Sequence, residues 1–252
     1  MAGPGRKLLA IGIAVVAVLL GAQQPARGQA LIADLSDHLI AINTGFTGVD
    51  LLLFGTIDQP GDIVVVVNGP TTSIEVRRKQ RIAGIWINAD RVSYVDVPSF
   101  YAVASSRPLD ELAAPALREE LQIGVEHLAV TPRDDAHADE STEFRAALVR
   151  NMQKLGLYDS DPGQVTFLGN QLFRTTVTFP SNVPTGSYRV QVLLIRDGEV
   201  AGAQTTPLVV GKIGFDADVF QFAHVYSAIY GLLAIVGALL AGGTAHLVFR
   251  RL

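Results

Sequence analysis

The chain has 252 residues, of which 49% are hydrophobic and 17% are charged, and its formal net charge is −4. This balance argues against nucleic-acid binding, which requires a basic surface. Cysteine is absent, which excludes thiol redox chemistry, cysteine-ligated iron–sulfur clusters and cysteine nucleophiles.

The N-terminus has the order of features of a secretory signal. Two basic residues precede an apolar run over residues 8–20, and small residues follow it. The run of about 13 residues is shorter than the ~20 needed to span hydrocarbon as a helix. We therefore predict a signal peptide over residues 1–30, cleaved after Ala30. Cleavage after Ala22 or Ala26, or retention as an N-terminal anchor, are the alternatives.

The first half of the region that follows has the pattern of short strands. Segments rich in Val, Ile and Leu are separated by Gly, Asp and Pro, the residues that punctuate strands. Residues 73–78 alternate apolar and charged side chains, and apolar content continues across Gly84 to residue 87, which predicts a hairpin. Further strands are predicted at residues 39–43, 49–56, 63–68, 92–97 and 100–104.

Composition shifts at Pro108, where helical patterns begin. Leucines and a Glu-rich face over residues 110–123 predict a helix that restarts at Pro115. A second helix is predicted where Phe144, Leu148, Met152 and Leu155 recur at helical spacing before Gly156. We expect these helices to form an insertion over about residues 108–158.

Strand character returns after residue 162. Residues 171–179 and 188–194 alternate, and Asp197-Gly198 is a strong two-residue hairpin signal. Strands that follow strands through such turns favour a mainly β fold. We predict an immunoglobulin-like β-sandwich with a helical insertion over residues 31–211, together with one C-terminal transmembrane helix.

The C-terminal apolar segment is long enough to cross a bilayer. Residues 223–249 contain no Asp, Glu, Lys or Arg, and Arg250 and Arg251 follow directly. Because basic residues mark the cytoplasmic side, we expect a single-pass bacterial inner-membrane protein. Its β domain would lie in the periplasm, joined by a linker over residues 212–222, and residues 250–252 would form the cytoplasmic tail.

Ser105, Ser106 and Arg107 are the candidate ligand-binding residues. Two hydroxyls and a guanidinium suit the oxygens of sulfite, sulfate or phosphate, so we predict a small-anion site here. The alternative is an ordinary junction between a strand and a helix, in which a serine caps and Pro108 opens the helix. No Gly-x-Ser-x-Gly motif accompanies these serines, and we predict that the protein is not an enzyme.

Two charged clusters have both functional and structural interpretations. Arg77, Arg78, Lys79 and Arg81, at a hairpin tip, could contact anionic lipid or an acidic partner, or could form a solvated turn that protects a sheet edge. The carboxylates and histidine of the acidic segment 134–140 could hold a divalent cation, or the segment could be a solvated loop whose acids favour the start of the next helix. Its spacing matches no cation-binding motif. We therefore predict no metal and no cofactor.

Small residues recur every fourth position inside the apolar C-terminal segment, at Ala234, Ala238 and Gly242. Such a ridge lets a second helix approach closely within the membrane. Gly and Ala are also common in membrane anchors, so a generic anchor is the alternative.

Several motifs resemble a family of transmembrane proteins from alphaproteobacteria, and the resemblance covers nearly the whole mature chain. It is closest at Ala33-Asp34-Leu35-Ser36, Phe46-Thr47-Gly48, Leu52-Leu53-Phe54-Gly55, Gly84-Ile85-Trp86-Ile87-Asn88, Pro98-Ser99-Phe100-Tyr101-Ala102-Val103 and Ser105-Ser106-Arg107-Pro108-Leu109. The resemblance implies a single-pass inner-membrane protein and supplies no catalytic or binding residues. It also associates the chain with exporters of the sulfite and sulfoacetate type.

Taken together, these features predict a membrane-anchored periplasmic accessory or binding protein. Its expected partners are the lipid bilayer and an inner-membrane protein such as a sulfite or organosulfonate exporter. The alternative is a periplasmic sensor or carrier of a small anion.

Overall fold

Strands form most of the regular structure in the computed structural model, which describes residues 29–82, 84–133, 141–213 and 222–250. The predicted signal peptide up to residue 28, the acidic segment 134–140 and most of the predicted linker lie outside these ranges. The strands are β1 (Leu31–Leu35), β2 (Leu39–Ile42), β3 (Gly48–Ile57), β4 (Asp62–Asn68), β5 (Thr71–Ile82), β6 (Ile85–Pro98), β7 (Tyr101–Ser105), β8 (Thr131–Pro132), β9 (Gly163–Gln164), β10 (Thr166–Leu168), β11 (Leu172–Pro180), β12 (Gly186–Arg196) and β13 (Glu199–Lys212).

These strands form three sheets. The first has four antiparallel strands in the order β1-β3-β11-β10. The second has six strands in the order β2-β13-β12-β4-β7-β9. Its edge strands are parallel to their neighbours, β2 to β13 and β9 to β7. The third consists of the long β5–β6 hairpin with the short β8 at its edge. The predicted mainly β fold is confirmed.

The two larger sheets bury one hydrophobic core. Alternate residues of β3 and β11 are buried, as expected for strands with one face against a core. In β4, Ile63–Val67 are all buried, which indicates that both faces of this central strand are covered. Buried residues of the insertion, including Ile123 and Leu128, join the same core. The insertion therefore packs on the same hydrophobic core as the two sheets.

The helices agree with most of the sequence-based predictions. The restart at Pro115 is confirmed, and the second predicted helix is present but ends before Leu155, whose side chain is exposed. Phe144, Leu148 and Met152 are buried as predicted. The helices are α1 (Leu109–Leu112), α2 (Pro115–Glu120), the 3₁₀ helix Val125–His127, α3 (Ser141–Lys154) and α4 (Ser227–Phe249).

The second strand of the hairpin is longer than predicted. The segment predicted as a separate strand at residues 92–97 is part of β6, which runs unbroken from Ile85 to Pro98. The prediction was wrong because the polar residues between Ile87 and Val92 do not fit a simple apolar alternation. By contrast, the Asp197-Gly198 turn is confirmed, and both residues have positive φ, at 52° and 80°.

Candidate functional site

The predicted anion-binding residues lie where β7 ends beside the start of β4. The Ser106 hydroxyl donates to Asp62 Oδ1 at 3.0 Å and accepts from the Ile63 backbone N–H at 3.1 Å. Arg107 donates through Nε to the same carboxylate oxygen at 2.9 Å, and through Nη2 to the other oxygen. Hydrogen bonds from Arg107 and then Ser106 hold the pKa of Asp62 below its usual value.

The groups of this junction therefore have partners within the protein. The Arg107 guanidinium forms a two-point contact with Asp62, and its Nη1 lies 3.8 Å from Glu111 Oε2. Ser105 is buried, and its carbonyl accepts from the Val165 N–H at 2.9 Å. An anion at this position would have to compete with the Asp62 carboxylate for the guanidinium. The anion site stays a prediction.

A cavity of about 150 Å³ lies between β7, the 3₁₀ helix and the segment that follows α3. Its lining includes Tyr101, Glu126, Asp159 and Asp161. Burial by the surrounding chain raises the pKa of Asp159 to about 6, although part of its surface remains in contact with solvent. Within the described ranges, no group of three His, Asp or Glu side chains is arranged to hold a metal ion.

Tyr101 has a structural role at this cavity. Its hydroxyl donates to the Gln122 carbonyl at 2.6 Å and accepts from the Gly124 N–H at 2.9 Å. Burial raises the pKa of this hydroxyl well above its usual value. The side chain thereby holds the loop after α2 against the core.

The middle part of the β5–β6 hairpin packs against helix α3. Val76 and Val92 face each other across the two strands and pack with Phe144 and Leu148 in a second, smaller hydrophobic cluster. Arg78 lies above this cluster, with Nη2 2.8 Å from Glu143 Oε2 and its guanidinium carbon 4.8 Å from the centre of the Phe144 ring. This part of the hairpin has a defined position on the domain.

The end of the hairpin is apolar and exposed. Ile85, Trp86 and Ile87, which we call the apolar tip, are 68%, 65% and 42% exposed. Of the basic residues that were predicted at the tip, Arg81 lies there, paired with Trp86. The other three lie further along the hairpin. Arg78 faces helix α3, whereas Arg77, Lys79 and Arg81 alternate with it and are exposed. Sequence reasoning treated the apolar residues as ordinary strand residues and missed this surface.

Helix α4 is the second candidate surface. Residues Ser227–His246 are long and apolar enough to cross a membrane, with a mean hydropathy of 1.9, and none of this window is buried within the described protein. Ala234, Ala238 and Gly242 lie four residues apart and so share one helix face. A Cβ added to Gly242 would meet no atom within 4 Å apart from its chain neighbours and the nearby backbone of its own helix.

No curated protein matches the chain. A family model described as "Putative transmembrane protein (Alph_Pro_TM)" matches residues 30–251. Because this match covers all but the first 29 residues and the last, the chain belongs to that alphaproteobacterial transmembrane family.

Proposed function

We propose that the protein is a non-enzymatic accessory or binding subunit, anchored in the inner membrane beside another membrane protein. The observation on which this depends is helix α4, whose small-residue face is exposed along the part of the chain that could span a bilayer. In lipid, a surface of this kind favours close helix packing, because dispersion and backbone contacts act where the hydrophobic effect does not. A neighbouring membrane helix is the partner that fits it.

In this proposal the β domain lies in the periplasm and the C-terminus in the cytoplasm. Arg250 and Arg251 follow the helix directly, and an excess of basic residues marks the cytoplasmic side. The partner suggested by the family resemblance is a transporter of the sulfite or organosulfonate exporter type. The β domain would then act on the outer side of that transporter.

The fold class that we infer for the β domain is immunoglobulin-like. In constant-type domains one sheet has the strand order ABED and the other CFG. The order β1-β3-β11-β10 corresponds to ABED, and the adjacent strands β4, β12 and β13 correspond to C, F and G. Tyr188, near the start of β12, donates to the Pro184 carbonyl at 2.5 Å, as the tyrosine corner of such domains does. Folds of this kind serve many unrelated functions, so this inference adds no activity.

The helix proposal is tested by adding bulk to one face of α4. Gly242→Leu fills the small-residue face, whereas Gly243→Leu makes the same chemical change about 100° further round the helix, away from Ala234 and Ala238. We expect Gly242→Leu to reduce cross-linking to the partner in native membranes by about tenfold, equivalent to about 1.4 kcal/mol. Gly243→Leu should leave it near the wild-type level.

The cross-linked products decide between the alternatives. A product that contains a second, different membrane protein and depends on Gly242 supports the proposal. Isolated monomer, or a product that both variants reduce equally, would refute it. A product composed of two copies of this chain would also contradict an accessory role.

A further inference from the structure

The β5–β6 hairpin continues the pairing of two strands in the six-stranded sheet. Asn68 pairs with Tyr101 at the end of the β4–β7 ladder, and Thr71 pairs with Pro98 at the start of the hairpin. Hydrogen bonds from the Gly69 N–H to the Phe100 carbonyl and from the Ser99 N–H to the Pro70 carbonyl close the gap between them. The hairpin is therefore a ribbon that extends β4 and β7 beyond the sheet.

The ribbon leaves the sheet at the end from which the chain runs to helix α4. At this end Asn68 pairs with Arg189 on β12, and Val210, near the end of β13, pairs with Gly186 on the same strand. A Cβ added to Gly186 would lie only 2.8 Å from the Pro70 ring. The base of the hairpin and the exit toward the apolar helix are thus two strands apart.

The hairpin is long enough to reach the plane in which α4 begins. From Thr71 to Ile82 it extends about 36 Å at about 3.3 Å per residue. Between Lys212 and Phe222, where helical structure begins, the chain can span at most about 36 Å. These lengths are similar, so the hairpin tip can reach the membrane surface that the helix enters.

One face of the hairpin is strongly basic. Arg77, Lys79, Arg81 and Arg91, which we call the cationic ladder, lie on the face opposite helix α3, and Arg77 is paired directly with Arg91 across the strands. Like charges in this position repel each other. Glu75 forms an ion pair with Arg77, but Lys79 and Arg91 have no acidic partner among the described residues. An anionic surface would relieve this repulsion.

Trp86 pairs with Arg81 on the same face, so the ladder ends at the apolar tip. Trp is favoured at the level of lipid headgroups, and flanking cations attract anionic lipid. We propose that the apolar tip inserts into the headgroup region of an anionic bilayer while the cationic ladder contacts the headgroups. The hairpin is then a second membrane contact of the β domain, independent of any protein partner.

The test uses the natural fluorescence of the chain, because Trp86 is its only tryptophan. The full-length protein is reconstituted without other proteins into vesicles of phosphatidylcholine, with or without phosphatidylglycerol, and with brominated phosphatidylcholine as a quencher. We expect Trp86 emission to move to shorter wavelength and to lose roughly half its intensity to brominated lipid in the anionic vesicles. Both effects should weaken at high salt, which screens the ladder.

A matched pair of variants separates the ladder from total charge. Lys79→Gln/Arg91→Gln removes two cations from the ladder. Lys154→Gln/Arg174→Gln removes two exposed cations that lie on α3 and β11, away from the hairpin. Only the first variant should lose lipid quenching.

The unmodified protein alone can overturn the proposal, even if a variant fails to fold. Emission that is equally quenched by iodide in solution and unaffected by brominated lipid would show that the tip stays in water. A shift to shorter wavelength without lipid quenching, increasing with protein density, would show that the tip binds protein. Either result refutes membrane insertion.

Discussion

Asp62 and Asp159 illustrate how the surroundings of a carboxyl group decide its charge. Asp62 accepts hydrogen bonds from Arg107 and Ser106, which lower its pKa. Among the described residues, no side chain donates a hydrogen bond to Asp159, and burial raises its pKa to about 6. Each difference gives a prediction that depends on single residues.

Asp62 is expected to control any anion binding by Arg107. In the wild type the Asp62 carboxylate binds the Arg107 guanidinium, whereas Asp62→Asn removes this competing negative charge. Sulfite, sulfate or phosphate at millimolar concentration should therefore raise the unfolding temperature of Asp62→Asn more than that of the wild type. The measurement is thermal unfolding of the full-length protein in detergent. If Asp62→Asn/Arg107→Gln keeps the full response, or if Asp62→Asn gives none, the residues 105–107 do not form an anion site.

Asp159 is expected to make the domain less stable as pH rises through the range from about 4 to 6. Its pKa is higher in the folded state than the unfolded value of 3.8, so in this range the folded state holds a proton that the unfolded state has lost. Wild type should lose stability relative to Asp159→Asn between pH 4 and 7, by no more than about 1 kcal/mol because solvent reaches the group. Denaturant unfolding at several pH values measures this difference.

Asp161→Asn is the matched control, because Asp161 is exposed on the same loop beside the cavity. A stability difference between wild type and Asp159→Asn that is constant with pH would contradict the prediction.

At the scale of elements, the sequence predicts those features that depend on local pattern. The Val-rich β4, the restart at Pro115, the buried face of α3 and the Asp197-Gly198 turn all follow from spacing and turn chemistry. The short strand β10 was not predicted, because three residues give no readable alternation. Strand β1 was missed because it begins directly after the predicted signal peptide.

The hairpin surface could not be predicted for a physical reason. Arg78 pairs with Asp90, whereas Lys79 pairs with Asn88, so strand β6 carries one extra residue at this point. An extra residue of this kind changes which side chains share a face, so a count along the sequence gives the wrong neighbours. The Asp62–Arg107 contact could not be predicted from local pattern either, since the two residues are 45 positions apart in the sequence. In contrast, helical spacing alone predicts that the small residues of α4 share one face of the helix.

At the scale of the whole molecule, the position of the two candidate surfaces depends on orientation. The hairpin and the end of β13 lie at the same end of the sheet, so the domain would present its hairpin to the bilayer surface from which α4 departs. Basic residues after α4 favour a cytoplasmic C-terminus. The hairpin would then contact the outer leaflet of the inner membrane.

The absence of cysteine makes this orientation directly measurable, because any introduced cysteine is the single thiol of the chain. Lys154→Cys places a thiol on the exposed end of α3, and Arg250→Cys places one just after α4. In intact spheroplasts a membrane-impermeant maleimide should label Lys154→Cys and should label Arg250→Cys only after the membrane is permeabilised. The opposite pattern would place the β domain in the cytoplasm and would remove the basis for an accessory role on the outer side of a transporter.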